Sequence, residues 1–269
     1  MIDGHMHLEY GTLSVEYVLQ FVQEAVKKGL NEIQILDHTH RFKEFEGIYE
    51  NLKKYPKQKS WLENKKTKFC STLEEYQNVI DEVRKMNLPI TVKFGLEVCY
   101  VPEYEEKIRD LLKGTSFDFV VGAIHSIDDV LYDMSFSKEY LWDVFDVNHI
   151  YQRYYQLVFQ LIQSDLFTQL AHPDTIKMFN YYPTYDLKDT YVELAHLLNK
   201  HHMKAENNTG CYYRYHHNDM GLSDDLLAVF KEHGVNMITC SDAHHPCDVG
   251  NCIKDIWKKT FEQKEKSVI

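Results

Sequence analysis

The sequence predicts an α/β protein folded as a single domain around a closed or nearly closed barrel of strands, and three observations predict it. Strand-like apolar runs alternate with stretches of helical period along all 269 residues, the pattern of repeated strand and helix units. Seven such units follow one another with no repeat, low-complexity tract or change of composition to mark a linker, so residues 1–269 read as one domain. The length also suits an α/β barrel, commonly about 250 residues. Spacing alone leaves a doubly wound open sheet as the alternative.

The first strand lies at the start of the chain. Ser14 can cap the helix after it, with Val15, Val18, Leu19 and Val22 on one face and Gly29 as its stop. Residues 33–36 form the second strand, followed by a polar, aromatic-rich excursion with many lysines over 43–68 and a helix over 71–86. The third strand is 89–96; Pro102 then suits a first helical turn, and Gly114 ends that helix after Leu112. The run FDFVVGAIH, 117–125, is the fourth strand, and after a longer connection the apolar and aromatic segment 147–164 reads as a helix packed on the sheet. The fifth strand is 167–172. A helix over 191–200 leads to the sixth at 203–207, a helix over 226–232 leads to the seventh at 235–240, and a helix over 252–262 closes the chain.

With 44% hydrophobic residues the chain can bury a core, and no apolar run approaches the roughly 20 residues that cross a bilayer. Asp3, His5 and His7 interrupt what would be the apolar part of a leader peptide. The expectation is a soluble, cytoplasmic protein with no membrane partner. Its six cysteines, Cys70, Cys99, Cys211, Cys240, Cys247 and Cys252, form no CxxC pair and read as free thiols of a reducing compartment. A net charge of -11 repels phosphate backbones and argues against general nucleic-acid binding. A small anionic substrate therefore needs a local positive site made of metal ions or arginine. Nothing in the sequence sets the oligomeric state.

Candidate ligands recur at the strand ends. The first strand ends in His5-Met6-His7, and the two-residue period of a strand puts both imidazoles on one face. The second ends in Asp37-His38, the third near Glu97, the fourth in His125 and the fifth in His172, whose neighbour Pro173 favours extended geometry. The sixth ends in ENNTG, 206–210, which supplies amides, and the seventh runs into Asp242-Ala243-His244. In α/β barrels the loops at this face converge on one site. Each feature alone also has a bland explanation: surface polarity for the HxH, an ion-paired strand terminus for Glu97, a turn cap for Asp37 or Asp242. Their shared position in consecutive units points instead to one metal site. His40 and His245 lie near it in sequence, whereas His201, His202, His216, His217 and His233 fall in loops or at helix ends and suit solvated or dipole-pairing roles.

These motifs, His5-x-His7, Asp37-His38, Glu97, His125, His172 and Asp242-x-His244, in this order, resemble the PHP (polymerase and histidinol phosphatase) superfamily. DGHMHLEY, HPD and SDAHH look most like its histidinol-phosphate phosphatase branch. The resemblance implies a distorted (β/α)7 barrel with two or three divalent metal ions, and hydrolysis of L-histidinol phosphate to L-histidinol and phosphate in histidine biosynthesis. It assigns His5, His7, Glu97 and Asp242 to a first metal. Glu97 bridges to a second held by His125 and His172, and His38 and His244 hold a third. Family members commonly add an Asp or His a few residues beyond the HxH, where this chain has Gly11-Thr12-Leu13. Glu9 is the nearest oxygen donor that can substitute.

Imidazole and carboxylate ligands suit Zn, Fe or Mn better than Mg or Ca, and no cysteine joins the motif to suggest a structural thiolate site. Two such ions bring the pKa of water down toward 7 and clamp a phosphoryl group during in-line attack. Glu97, Asp242 and His244 are the catalytic candidates at the metals, with Asp242 or His40 as the acid for the leaving alkoxide. Arg153, Arg214 and Lys177 are candidates to grip phosphate, each with an ordinary surface cation as its alternative. Tyr212, Tyr213, Asp219, Phe42 and Phe45 are candidates to meet the imidazole and amine. Three rivals remain: a related phosphoesterase for another small ester, an amidohydrolase using Lys93 in place of Glu97, and a metal-binding scaffold without catalysis.

Overall fold

The computed structural model describes residues 1–262. Its strands are β1 (Ile2–His7), β2 (Glu32–Leu36), β3 (Thr91–Cys99), β4 (Phe119–Ala123), β5 (Ser126–Ile127), β6 (Val130–Leu131), β7 (Gln169–Leu170), β8 (Lys204–Asn208) and β9 (Met237–Cys240). Strands β5 and β6 make a small antiparallel hairpin. The others form a seven-stranded sheet in the order β1-β2-β3-β4-β7-β8-β9, every pair parallel. A helix crosses between successive members, as parallel pairing requires.

The sheet nearly closes into a distorted barrel because the chain just past β9 pairs with β1. The His7 N–H donates to the Ala243 carbonyl at 2.7 Å, and the Asp242 N–H to the His5 carbonyl at 3.0 Å. A Cβ at Gly4 would crowd this approach, lying 2.5 Å from Ile238 Cδ1. Asp3 staples the same seam: its carboxylate accepts from the Ser241 N–H at 2.8 Å, the Ser241 hydroxyl at 2.6 Å and the Gly250 N–H at 2.9 Å. Strand β1 also carries one extra residue between Asp3 and Met6 relative to β2. Such a bulge re-aims the side chains in and beyond it, here His5 within it and His7 beyond it.

The helices lay apolar faces on this barrel. Ser14 caps Val15–Lys27, which buries Val18, Phe21, Val22 and Ala25, and Gly29 follows at φ +71°. Thr72 and Glu75 form a reciprocal capping box on Leu73–Arg84. Asp146 caps Val147–Gln163, whose face buries Tyr151, Tyr154, Tyr155 and Val158.

Several expectations are corrected. The excursion after β2 is ordered into three 3-10 segments, Thr39–Arg41, Lys43–Ile48 and Glu50–Lys54, and the helix Pro56–Leu62. Phe69 N–H then donates to the His40 carbonyl at 2.7 Å, which returns the chain to the mouth of the barrel. Phe42 and Phe45 are fully buried under this excursion. The segment after β8 forms a short helix, Gly210–Tyr215, which carries Arg214. The fifth barrel strand shrinks to Gln169–Leu170, and His172 is not extended: its φ is +24°.

Candidate metal centre

The strand ends deliver their side chains to one point. Glu97 is the hub, reached from β3 and buried. Its Oε1 lies 3.1 Å from His125 Nε2 and 3.2 Å from His172 Nε2. Its Oε2 lies 2.7 Å from His38 Nδ1 and 3.5 Å from the Nε2 atoms of both His5 and His7. Asp242 Oδ1 stands 3.3 Å from His7 Nε2 and 3.7 Å from His5 Nε2. On the far side Glu9 Oε1 lies 3.2 Å from His244 Nε2, and its Oε2 lies 3.1 Å from His40 Nε2.

The donors suit cations better than one another. Glu97 Oε2 and His7 Nδ1 are buried with no hydrogen-bond partner among the described residues, despite the close approach of His38 to the former. Atoms this near without hydrogen-bond geometry share an aim. His5 Nε2 and His7 Nε2 meet at 2.8 Å, so without a metal one proton must sit between two lone pairs; a shared cation removes that requirement. Four triads have ligand atoms close enough to serve one ion: His5, His7 and Glu97; His38, Glu97 and His125; His7, His38 and His244; Glu9, His38 and His40. Neutral imidazoles and ionised carboxylates are the ligand types of Zn, Fe and Mn, so the residues fit the group.

Electrostatics point the same way. Burial opposes charge on Glu97, but His38, His5 and His125 outweigh it and hold the carboxyl well below the usual range. Burial likewise opposes charge on Asp242, where Arg214 and His7 prevail, and on Glu9, where His244 and His38 prevail. Three ionised carboxylates thus share a small volume. Burial with His38 and His244 keeps the His7 pKa well down. Burial also opposes charge on His5, but Glu206 and Glu97 raise it well above the ordinary value.

Two candidate ligand positions have left-handed backbone that favours glycine, His172 at φ +24° and Asp242 at φ +57°. Such strain persists where surroundings over-determine it. The His172 N–H donates to Glu206 Oε2 at 3.2 Å, and Tyr154 Oη donates to the Pro173 carbonyl at 3.2 Å. These contacts override the extended preference that Pro173 imposes. Gly210 makes room for Asp242, because a Cβ there would lie 2.6 Å from Asp242 Oδ2.

Two adjoining cavities open over the cluster, of about 220 and 90 Å³. His38, His125, Asp133, Arg214, Tyr215 and His244 line both. Arg214 is brought in as expected, its guanidinium 3.3 Å from Asp242 Oδ2. Arg153 is not: it pairs with Asp128 at 2.8 Å beside a separate hollow. Lys177 is not either. Its ammonium is buried against Asp174 at 2.7 Å and Asp219 at 3.0 Å, which also withdraws Asp219. Buried Phe42 and Phe45 line neither cavity, nor do Tyr212 and Tyr213, although the Tyr213 hydroxyl donates to the Asp242 carbonyl at 3.3 Å. Lys93 points away at the opposite end of β3, paired with Glu32 at 2.8 Å, so the lysine-bridged rival loses its ligand.

Sequence reasoning missed Lys68, Trp61, Asp133 and Glu206. Lys68 Nζ lies 2.7 Å from His40 Nε2 and 4.3 Å from the Trp61 ring centre, on the cavity wall. Asp133 Oδ2 contacts His125 Nδ1 at 3.0 Å. Glu206 opens the ENNTG run at the end of the sixth strand, which reads only as a source of amides; no motif marks the other three, and Lys68 is one lysine among many in the excursion.

Comparison with known proteins bears on the family and the fold. The PHP domain family matches residues 3–210. A probable histidinol-phosphatase of Deinococcus radiodurans is 24% identical over 264 residues, spanning 96% of this chain and 92% of its own length. The histidinol-phosphatase of Bacillus subtilis is 23% identical over 270 residues, spanning 92% and 95%. The solved structure of Lactococcus lactis histidinol phosphate phosphatase, complexed with zinc, L-histidinol and phosphate, aligns with a TM-score of 0.68 at 20% identity, covering 97% of this chain and 93% of that one. A putative histidinol phosphatase of Listeria monocytogenes aligns at 0.72 with 18% identity, covering 95% and 99%. At these identities the two structures bear on the fold. With a barrel of this order, candidate metal ligands at its strand ends and a family match over most of its length, the chain belongs to the PHP domain family.

Proposed function

We propose that the chain is a metal-dependent phosphomonoesterase that hydrolyses L-histidinol phosphate to L-histidinol and phosphate, the reaction of histidine biosynthesis. The observation that carries the phosphatase reading is the Glu97 carboxylate, one oxygen facing His125 and His172 and the other facing His5, His7 and His38. That arrangement suits adjacent divalent ions: His5, His7, Glu97 and Asp242 would hold one, Glu97, His125 and His172 a second, and His38, His244 and Glu9 a third. When bound, such ions supply Lewis acidity to phosphoryl oxygens and lower the pKa of water toward neutrality. The names of the full-length relatives in Deinococcus and Bacillus support the choice of substrate.

The protein's own groups do the rest. Arg214, on the wall of both cavities, offers planar donors to a phosphate oxygen, and Lys68 adds a second cation. Ionised Asp242 accepts the proton that the attacking water gives up and passes it to the departing alkoxide, so proton and leaving group balance. His40 is held between Glu9 and Lys68, which makes it a brace for Glu9 more than an acid. Asp133 fixes the ring of His125. Trp61, Tyr10 and Tyr215 give the larger cavity aromatic walls for an imidazole.

The test is phosphate release by metal-loaded protein from L-histidinol phosphate, other phosphomonoesters and a phosphodiester. The proposal expects a preference for histidinol phosphate of several orders of magnitude. Uniform slow turnover would keep the phosphoesterase and reject the substrate.

A further inference from the structure

Beneath the cluster lies a carboxylate that contributes to none of the close ligand triads. Glu206, on β8, is fully buried. Its Oε1 lies 2.7 Å from His5 Nδ1 and accepts from Gln169 Nε2 at 2.7 Å. Its Oε2 accepts from the His172 N–H at 3.2 Å and from Asn208 Nδ2 at 3.0 Å. An ionised carboxylate is an acceptor with about four lone-pair sites, so these four donors fill it. The partners come from β1, β7 with the residues just beyond it, and β8.

We infer that Glu206 is a positioning residue for the metal centre, fixing the tautomer of His5 and the backbone of His172 through one carboxylate. An acceptor at Nδ1 obliges His5 to carry its proton there. Its Nε2 is then free and aimed at the point shared with His7, Glu97 and Asp242. A histidine ligand whose other ring nitrogen bonds a carboxylate is held in orientation and made more basic, and removing such a partner typically costs 10- to 100-fold in metal affinity. The second oxygen does a different job. It holds the His172 N–H while that residue stays at φ +24°, which turns the side chain toward Glu97 Oε1. Ligands of two neighbouring ions are thus tied to one buried group.

The inference rests on the metal-dependent reading of the site, and its test separates the two. Zinc affinity of wild type and Glu206→Gln is measured by competition with a chromophoric chelator, together with the visible spectrum of the cobalt-substituted proteins and their far-UV circular dichroism. Glutamine keeps the volume but can turn an NH2 toward His5 or the His172 N–H. The expected result is native secondary structure, affinity lower by about 10- to 100-fold and an altered cobalt spectrum. Equal affinity and spectrum in wild type and variant would overturn the positioning role alone. A wild type that binds no zinc would overturn both it and the metal-dependent reading. If Glu206→Gln does not fold, Gln169→Met removes one donor and leaves the carboxylate. A several-fold weaker affinity then supports the role, and an unchanged one rejects it.

Discussion

Glu97 stays ionised in a place where burial alone would protonate it, because His38, His5 and His125 surround it. Replacing it with glutamine removes the shared negative charge, so Glu97→Gln is expected to lose bound metal and phosphatase activity together, measured by elemental analysis and phosphate release. In the metal-free protein His5 is held above its ordinary value, against burial, by Glu206 and Glu97. Metal must displace that proton. Zinc affinity should therefore keep rising as pH is raised through and beyond 6.5, the usual histidine value; a plateau already reached at pH 6 would contradict this. Arg214→Met should cut kcat/KM by about 100- to 1000-fold, the usual effect of removing one preorganised charge-stabilising donor. Lys177→Met should act on stability instead, costing up to about 3–5 kcal/mol in urea unfolding by removing the buried cation beside Asp174, whose Oδ2 keeps only the Ser223 N–H at 2.8 Å. The ligand types were legible in the sequence because strand ends repeat them. The cations were not, because Arg153, Arg214 and Lys177 look alike until their carboxylate neighbours are known.

At the scale of elements, two glycines decide how close strands and ligands come. Gly4→Ala would place a Cβ against Ile238 at the seam between β1 and β9, an overpacking expected to cost about 1–3 kcal/mol in urea unfolding. Gly210→Ala would push instead on Asp242. It should weaken metal binding, read by chelator competition, more than it weakens the fold. Element order was readable from the sequence since each barrel strand is a short apolar run between helical stretches. The fifth was read too long. Residues 167–172 have the composition of a strand, but the tie of the His172 N–H to Glu206 on β8 turns the chain out of the ladder. The 43–68 excursion was opaque for the opposite reason. Its 3-10 segments are tied to distant parts of the chain, the Tyr104 hydroxyl donating to Asn51 Oδ1 and the Leu73 N–H to Glu44 Oε1, each at 3.0 Å, and have no period of their own.

For the whole molecule, seven parallel strands carry ligands from both ends of the sequence to one mouth, with His5 and His7 near residue 1 and Asp242 and His244 some 240 residues later. Metal binding should stabilise this arrangement, since ions held across β1, β3 and the segment after β9 oppose its opening. At free metal 100 times the Kd the gain is about 2.7 kcal/mol. That corresponds to a fall in Tm of about 5–10 °C on chelation for a domain of this size, checked by scanning fluorimetry with and without chelator. Among the described residues no helix is long and apolar enough to cross a membrane, and on a protein of net charge -11 the cavity wall sets Lys68 and Arg214 among the carboxylates of Glu9 and Asp133. The most direct measurement is a titration of zinc or manganese into metal-free protein, following phosphate release from L-histidinol phosphate against ions added per chain. Release should be absent at the start, rise with added metal and level off at two to three ions per chain. Release at full rate without metal, or none at saturation, would contradict the account.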